Sequence, residues 1–317
     1  MELLLPTLAQ MFFLFAFLFL GFLLAKIRFL PDNAAAVLSR LENAIFIPAL
    51  VLGTFLKNCT RETLGEAGRI LLFSFALEIV IIPLAILLAR LCSRSTYLRK
   101  IYTYGLCFAN FGFMGNAVVE ALFPELFYEY LIFTLPLGFF IYAWAVPCLL
   151  LPAGEGTDGK RFSLRRTARS FVNPMFICMA IGAILGLSGL IVPPFILNVV
   201  ETAGSCMSPV AMLLTGITVA KIDLGAVLRR PGIYLATGLR LLVLPLVFLL
   251  LLWLLPLPDT FFICAVCALA MPLGLNTVVV PAAYGMDTSD AAGMALVSHA
   301  ASIITIPLIF TLMQSLL

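Results

Sequence analysis

The chain has 317 residues, of which 63% are hydrophobic and only 11% charged, against about 25% charged in soluble domains. A mean hydropathy of +1.14 excludes a water-soluble domain, because a chain of this length cannot hide that much apolar surface, so its solvent is the bilayer. The formal net charge of +3 is small, and no basic stripe interleaves with aromatics, which excludes a nucleic-acid-binding surface.

A membrane-spanning helix needs about 20 mainly apolar residues. In chain order the sequence predicts ten spans, at roughly 6–27, 33–56, 69–92, 100–123, 128–151, 172–192, 195–220, 232–255, 260–284 and 290–316. The first has no basic n-region and no small-residue cleavage site, so it is expected to be a retained helix and not a signal peptide. Most connections are short. The longest polar stretch, 153–170, is expected to be a cytoplasmic linker dividing a first five-helix unit, 1–152, from a second, 171–317.

Lysine and arginine cluster on one side of these spans. That side holds Lys26, Arg28, Arg90, Arg94, Arg99 and Lys100, the linker residues Lys160, Arg161, Arg165, Arg166 and Arg169, and then Lys221, Arg229 and Arg230. The other side carries only Lys57, Arg61 and Arg69. The positive-inside rule places the first group in the cytoplasm and both termini outside it, in a multi-pass protein of the cell membrane. Five spans is an odd number, so the second unit enters the membrane from the opposite side and the expected fold is all-α with two inverted repeats.

The two halves also repeat in sequence at an offset of roughly 160 residues. Phe111-Gly-Phe-Met-Gly-Asn-Ala-Val-Val119 is echoed by Met271-Pro-Leu-Gly-Leu-Asn-Thr-Val-Val279. Cys107 matches Cys267, and Gly21, Pro48, Pro83 and Pro147 match Gly182, Pro209, Pro245 and Pro307. Helix breakers at corresponding places in two halves point to the binding site of a secondary transporter. Unwound backbone survives at membrane depth only inside protein or beside a water-filled cavity. Each break is expected to expose a helix N-terminus, whose free N–H groups and partial positive charge suit a carboxylate. The candidate substrate-binding residues are Asn110, Gly112, Gly115 and Asn116 in span four, and Pro272, Gly274, Asn276 and Thr277 in span nine. The competing reading is that the glycines serve helix packing and the asparagines bond neighbouring helices.

Glu78 and Arg240 lie five residues before Pro83 and Pro245, at equivalent positions with opposite sign. A charge near mid-membrane costs at least about 2.5–3.5 kcal/mol, so each needs a partner or water. Either they face a shared polar interior, with Arg240 attracting an anion and Glu78 balancing it or carrying a proton, or they form a static ion pair. His299 is the sole histidine; it is a candidate for titration near neutral pH or for a hydrogen bond to a neighbouring helix. Glu42 and Glu201 are left without a chemical role, and Glu120 is a lesser site candidate because it closely follows the first break. Cys264-x-x-Cys267 has metal or redox spacing without a second pair or nearby histidine, so no metal, cofactor or disulfide framework is expected beyond a coupling H+ or Na+. The sequence has no Walker-type phosphate loop, which argues against direct ATP use. One histidine and no mid-span aspartate leave little material for an intramembrane enzyme. An anion channel or membrane sensor is the rival to a carrier.

The whole chain resembles the auxin efflux carrier family, which has bacterial members and the plant PIN-formed proteins. The likeness is carried by Asn110-Phe-Gly-Phe-Met-Gly115, Asn173-Pro174, Pro209 through Gly216, Met271-Pro272 with Asn276, Tyr284-Gly-Met-Asp287 and Pro307. It implies a ten-helix carrier similar in fold to the bile acid sodium symporters. Spans four and nine would cross near the midplane. Spans one, two, six and seven would form a scaffold around a moving core of the others. It implies small organic anions as substrates, such as auxin-like acids or dicarboxylates like malate or malonate, with Asn110 and Pro272 at the two crossings, and it is compatible with a homodimer. The chain departs from the plant pattern at Ala109-Asn110 and at Gly115-Asn116-Ala117, so auxin itself is not the expected substrate. The plant proteins' long central loop is also absent.

Overall fold

The computed structural model describes residues 4–150, 173–220, 229–283, 286 and 288–317. The expected linker 153–170, Lys221 and most of the Tyr284–Asp287 motif lie outside the described residues. What is described is all-helical, apart from one isolated antiparallel bridge between Ala109 and Leu273.

Among the described residues seven helices are long and apolar enough to cross a membrane. They are α1 (Leu4–Lys26), α2 (Ala34–Asn58), α3 (Leu64–Cys92), α6 (Pro124–Leu150), α8 (Pro194–Ala220), α9 (Pro231–Trp253) and α12 (Ser289–Leu316). Shorter helices fill the places between them: α4 (Thr96–Cys107), α5 (Phe111–Leu122), α7 (Pro174–Ser188), α10 (Asp259–Ala270) and α11 (Asn276–Ala283). The structure is thus that of an all-α, multi-pass membrane protein. The single spans expected at 100–123 and 260–284 are each divided, at Phe108–Asn110 and at Met271–Leu275.

Local chemistry explains where helices start and where they widen. Asn173 caps α7, its Oδ1 accepting the Phe176 N–H at 3.1 Å, and Pro174 follows at the first helical position, where its missing N–H costs nothing. Proline inside a helix leaves a carbonyl one turn back without its donor, and a π-turn absorbs the mismatch. Such turns precede Pro48 (Glu42–Phe46) and Pro245 (Leu239–Val243), and another contains Pro147 (Ile141–Leu150).

The regular helices α1 and α3 and the interrupted helices α4 and α10 occupy different environments. On α1 only Thr7, Met11, Leu14 and Gly21 are buried, while Phe12 and Phe19 lie exposed; α3 likewise presents Leu72, Val80 and Leu91 outward. By contrast every residue from Ile101 to Cys107 on α4 is buried, as are Cys264 to Ala270 on α10. Regular helices satisfy their own backbone and can face lipid. Interrupted ones cannot, so they lie inside.

The tight glycine contacts fall into two groups. α1 meets α8 at Gly21 and Gly216, where any side chain would run into the carbonyl of Leu213 or Leu18. Gly182 and Gly186 press α7 on α2 in the same way, and Gly204 presses α8 on α2. The remaining tight glycines, Gly105, Gly115, Gly232 and Gly274, meet only α3 to α6, α12 and the two breaks. Among the described residues no tight glycine contact joins the set α1, α2, α7, α8 to the rest.

Candidate functional site

The two breaks cross and complete each other. Asn110 N–H donates to the Pro272 carbonyl at 2.7 Å, and Gly274 N–H to the Phe108 carbonyl at 3.4 Å. Gly274 lacks a Cβ where one would lie 3.1 Å from the Ala109 carbonyl oxygen, so the chains pass at backbone distance. Helix α12 supplies the rest. Ser298 Oγ accepts the Leu273 N–H at 3.3 Å, and His299 Nε2 lies 3.1 Å from Asn110 Nδ2.

At each break one helix ends and another begins, and opposite partial charges result. Arg240 serves the two endings together. Its guanidinium donates to Leu106 O (3.0 Å) at the end of α4, and to Ala268 O (3.4 Å) and Met271 O (3.2 Å) at the end of α10. A planar five-donor fork suits three carbonyls at fixed angles. Glu78 is buried beside it, and both line a void of about 10 Å³ with Cys107. No ion pair joins them among the described residues; Glu78 Oε2 has no hydrogen-bond partner. Neither lines the main cavity. The expectation that they face a common polar interior open to substrate is therefore corrected: Arg240 is a cap for the crossing, because backbone carbonyls claim its donors first.

The two beginnings open the other way, onto a cavity of about 1310 Å³. Phe111, Gly112 and Phe113 from the first turn of α5 line it, with Gly274, Leu275 and Asn276 at the start of α11. Asn110, Asn116, Tyr104, Thr134 and Tyr142 add polar atoms. Asn276 Nδ2 donates to the Tyr104 hydroxyl at 3.0 Å. Asn116 is buried, and its Oδ1 has no hydrogen-bond partner. The other walls are the start of α2 (Ser39, Arg40, Asn43), the start of α7 and the end of α8. The start of α2 follows directly on the turn after Lys26, so these walls belong to the end of the molecule where Lys26 and Arg28 lie.

Of the expected substrate residues, Asn110, Gly112, Asn116, Gly274 and Asn276 border the cavity. Gly115, Pro272 and Thr277 stand behind it. A side chain at Gly115 would collide with the Tyr130 hydroxyl, so this glycine serves packing within a π-turn (Phe111–Gly115) and not a break; the first break lies upstream at Phe108–Asn110. The Pro272 carbonyl is taken by Asn110, and the fully buried Thr277 hydroxyl returns to the Gly274 carbonyl at 2.9 Å. His299 is buried and holds Asn110. Glu42 is fully buried in its π-turn with both carboxyl oxygens unpartnered, Glu120 is half-buried on α5, and Glu201 pairs with Lys57 at 2.6 Å. Sequence reasoning missed Tyr104 and Arg40. Tyr104 has no repeat mate, since position 264 is cysteine, and Arg40 falls inside a predicted span where its charge was the one available signal.

A family model described as membrane transport protein matches residues 6–310. The chain belongs to that family. It is the family of the auxin efflux carriers, whose motifs the sequence resembles. No curated protein matches the chain. As a membrane transport protein it belongs to a family of transporters and not of enzymes. Among its described residues no cluster of histidine, cysteine and carboxylate side chains is placed to hold a metal ion.

Proposed function

We propose that this membrane transport protein is a secondary carrier of small organic anions, mono- or dicarboxylates, that works by alternating access. The observation that carries the reading is the polar floor of the cavity. Two helix N-termini, three asparagine side chains and a tyrosine hydroxyl meet there, below walls that are polar at the start of α2 (Ser39, Arg40 and Asn43, with Asp32 just before it) and apolar along Ile47, Val51, Phe55, Leu131 and Leu135. Such a floor can replace the hydration of a carboxylate without a fixed buried charge.

In this reading the ten predicted spans form two inverted fives, with α4–α5 and α10–α11 as the broken fourth and ninth crossings. The cavity opens to the cytoplasm, following the lysine and arginine bias. Helices α1, α2, α7 and α8 are the scaffold, and the remainder moves past them as an elevator. The partition of tight glycine contacts supports this division: glycines fit helices closely within each group, and among the described residues no such glycine contact joins one group to the other.

The test is uptake by proteoliposomes of labelled mono- and dicarboxylates, with and without pH or sodium gradients. A carrier accumulates at least one of them against its concentration gradient. Flux that only runs downhill, at rates far above a carrier's turnover, would identify a channel. No transport of any carboxylate would remove the anion reading.

A further inference from the structure

His299 determines which way round the Asn110 amide stands. A neutral imidazole has one N–H and one lone pair. Nδ1 lies 2.7 Å from the Ala295 carbonyl one turn back, and a carbonyl can only accept, so Nδ1 carries the proton. Nε2 is then the lone pair. It faces the Asn110 amide at 3.1 Å, and only the NH2 half of that amide can meet it. The remaining half, Oδ1, takes no hydrogen bond among the described residues, and Asn110 borders the cavity. Across the crossing the situation differs. Asn276 pairs with the Tyr104 hydroxyl, which both donates and accepts, so this amide can turn over without losing its bond.

An acceptor oxygen facing the cavity repels a bare carboxylate. A carboxyl group can bind at Asn110 in two ways. If it arrives protonated, its O–H donates to Oδ1. If Nε2 is protonated instead, the imidazolium donates to Oδ1 after the amide turns over, and the NH2 faces the carboxylate. Each route takes up one proton from solvent. We propose that the Asn110–His299 pair makes the site accept the carboxyl group of a small organic acid only together with one proton, held on either the ligand or the imidazole. This rests on the carrier reading above and adds the coupling ion and its location; His299 is a positioning residue.

Among the described residues no charged group is bonded to the imidazole. On its own helix Asp290 is bonded to Arg230. On the helices packed against α12, Arg240 is committed to three carbonyls and Tyr104 to Asn276. The other ionisable groups there are the lysine ending α1 (Lys26), Tyr97, Arg99, Lys100, Tyr102 and Cys107 on α4, Glu201 and Cys206 on α8, Tyr234 on α9, and Asp259, Cys264 and Cys267 on α10. None of them is hydrogen-bonded to the ring. α11 carries no charged residue.

The experiment measures binding of benzoate, malonate and malate to the purified full chain between about pH 6 and pH 8, beside the primary carboxamide of each acid. One linked proton makes the dissociation constant of a binding acid rise about tenfold per pH unit, while that of its carboxamide stays flat. In His299→Gln and His299→Met the freed amide can offer its NH2 to a carboxylate without a proton, so the slope for the acid falls below about twofold per unit. A flat acid profile in the unaltered chain overturns the proposal and leaves the carrier reading standing; an unchanged slope in folded variants does the same. If neither variant folds, the contrast between acid and carboxamide decides alone. Failure of all three acids to bind at about pH 6 sinks the carboxylate reading and this proposal with it.

Discussion

The helix group α1, α2, α7, α8 and the crossing of α4–α5 with α10–α11 are held together by different physics. In the first group regular helices approach through glycines such as Gly21 and Gly216, and each helix satisfies its own backbone. Stability there comes from many dispersion contacts, individually small. In the crossing the backbone is irregular and depends on a few polar side chains, Arg240, Ser298 and His299, together with the mutual bonds of Asn110 and Gly274. Buried polar groups are stabilising only when paired. Loss of one partner in the crossing therefore strands several others, whereas loss of one contact between regular helices is shared by its neighbours.

The largest effect is expected from Arg240→Met. It strands the carbonyls at the ends of both α4 and α10, and should cost about 3–5 kcal/mol in detergent-solubilised unfolding. Arg240→Lys should recover less than half of that, because one ammonium cannot serve three carbonyls. Recovery of full stability with lysine would show that only charge matters there. Next comes Gly216→Leu, which drives a side chain into the backbone of α1 at Leu18. About 1–3 kcal/mol of overpacking cost is expected, with ligand affinity in the folded fraction changed less than about twofold. A large affinity loss would mean that the helix group and the crossing are one mechanical unit.

The smallest stability effects, with a clear binding effect, are expected for Asn276→Ala and Asn116→Ala. Each removes one hydrogen-bonding group from the cavity floor, worth about 1–1.5 kcal/mol, or roughly tenfold in affinity for a bound carboxylate. Titration of both folded variants with a substrate from the uptake panel checks this. Unchanged affinity in both would reduce the asparagines to helix packing, the alternative that the sequence leaves open.

Much of the fold was legible because its signals are local. Apolar runs gave the helices; the π-turns of α2, α6 and α9 were not foreseen, since Pro83 and Pro307 sit in helices without one. The repeat of Asn-x-Val-Val at Asn116 and Asn276 located the two interrupted segments. The error at Gly115 has a physical cause: glycine signals either a turn or a close neighbour, and only the position of Tyr130 tells them apart. The sequence left Glu78 and Arg240 between two readings for a similar reason. Equivalent positions on two helices put the charges in one neighbourhood, yet the guanidinium turned to carbonyls that no pattern in the sequence marks.

By itself, then, the sequence determined a bilayer protein of interrupted helices, its family, and the two segments in which the chain breaks, since hydropathy, proline and glycine act over a turn or two. Tertiary structure alone decided which of those residues face the cavity and which stand behind it, that Arg240 closes both helix ends, and that His299 turns Asn110. Those outcomes depend on hydrogen-bond partners drawn from positions more than a hundred residues apart in the chain, and such distances leave no mark in local order.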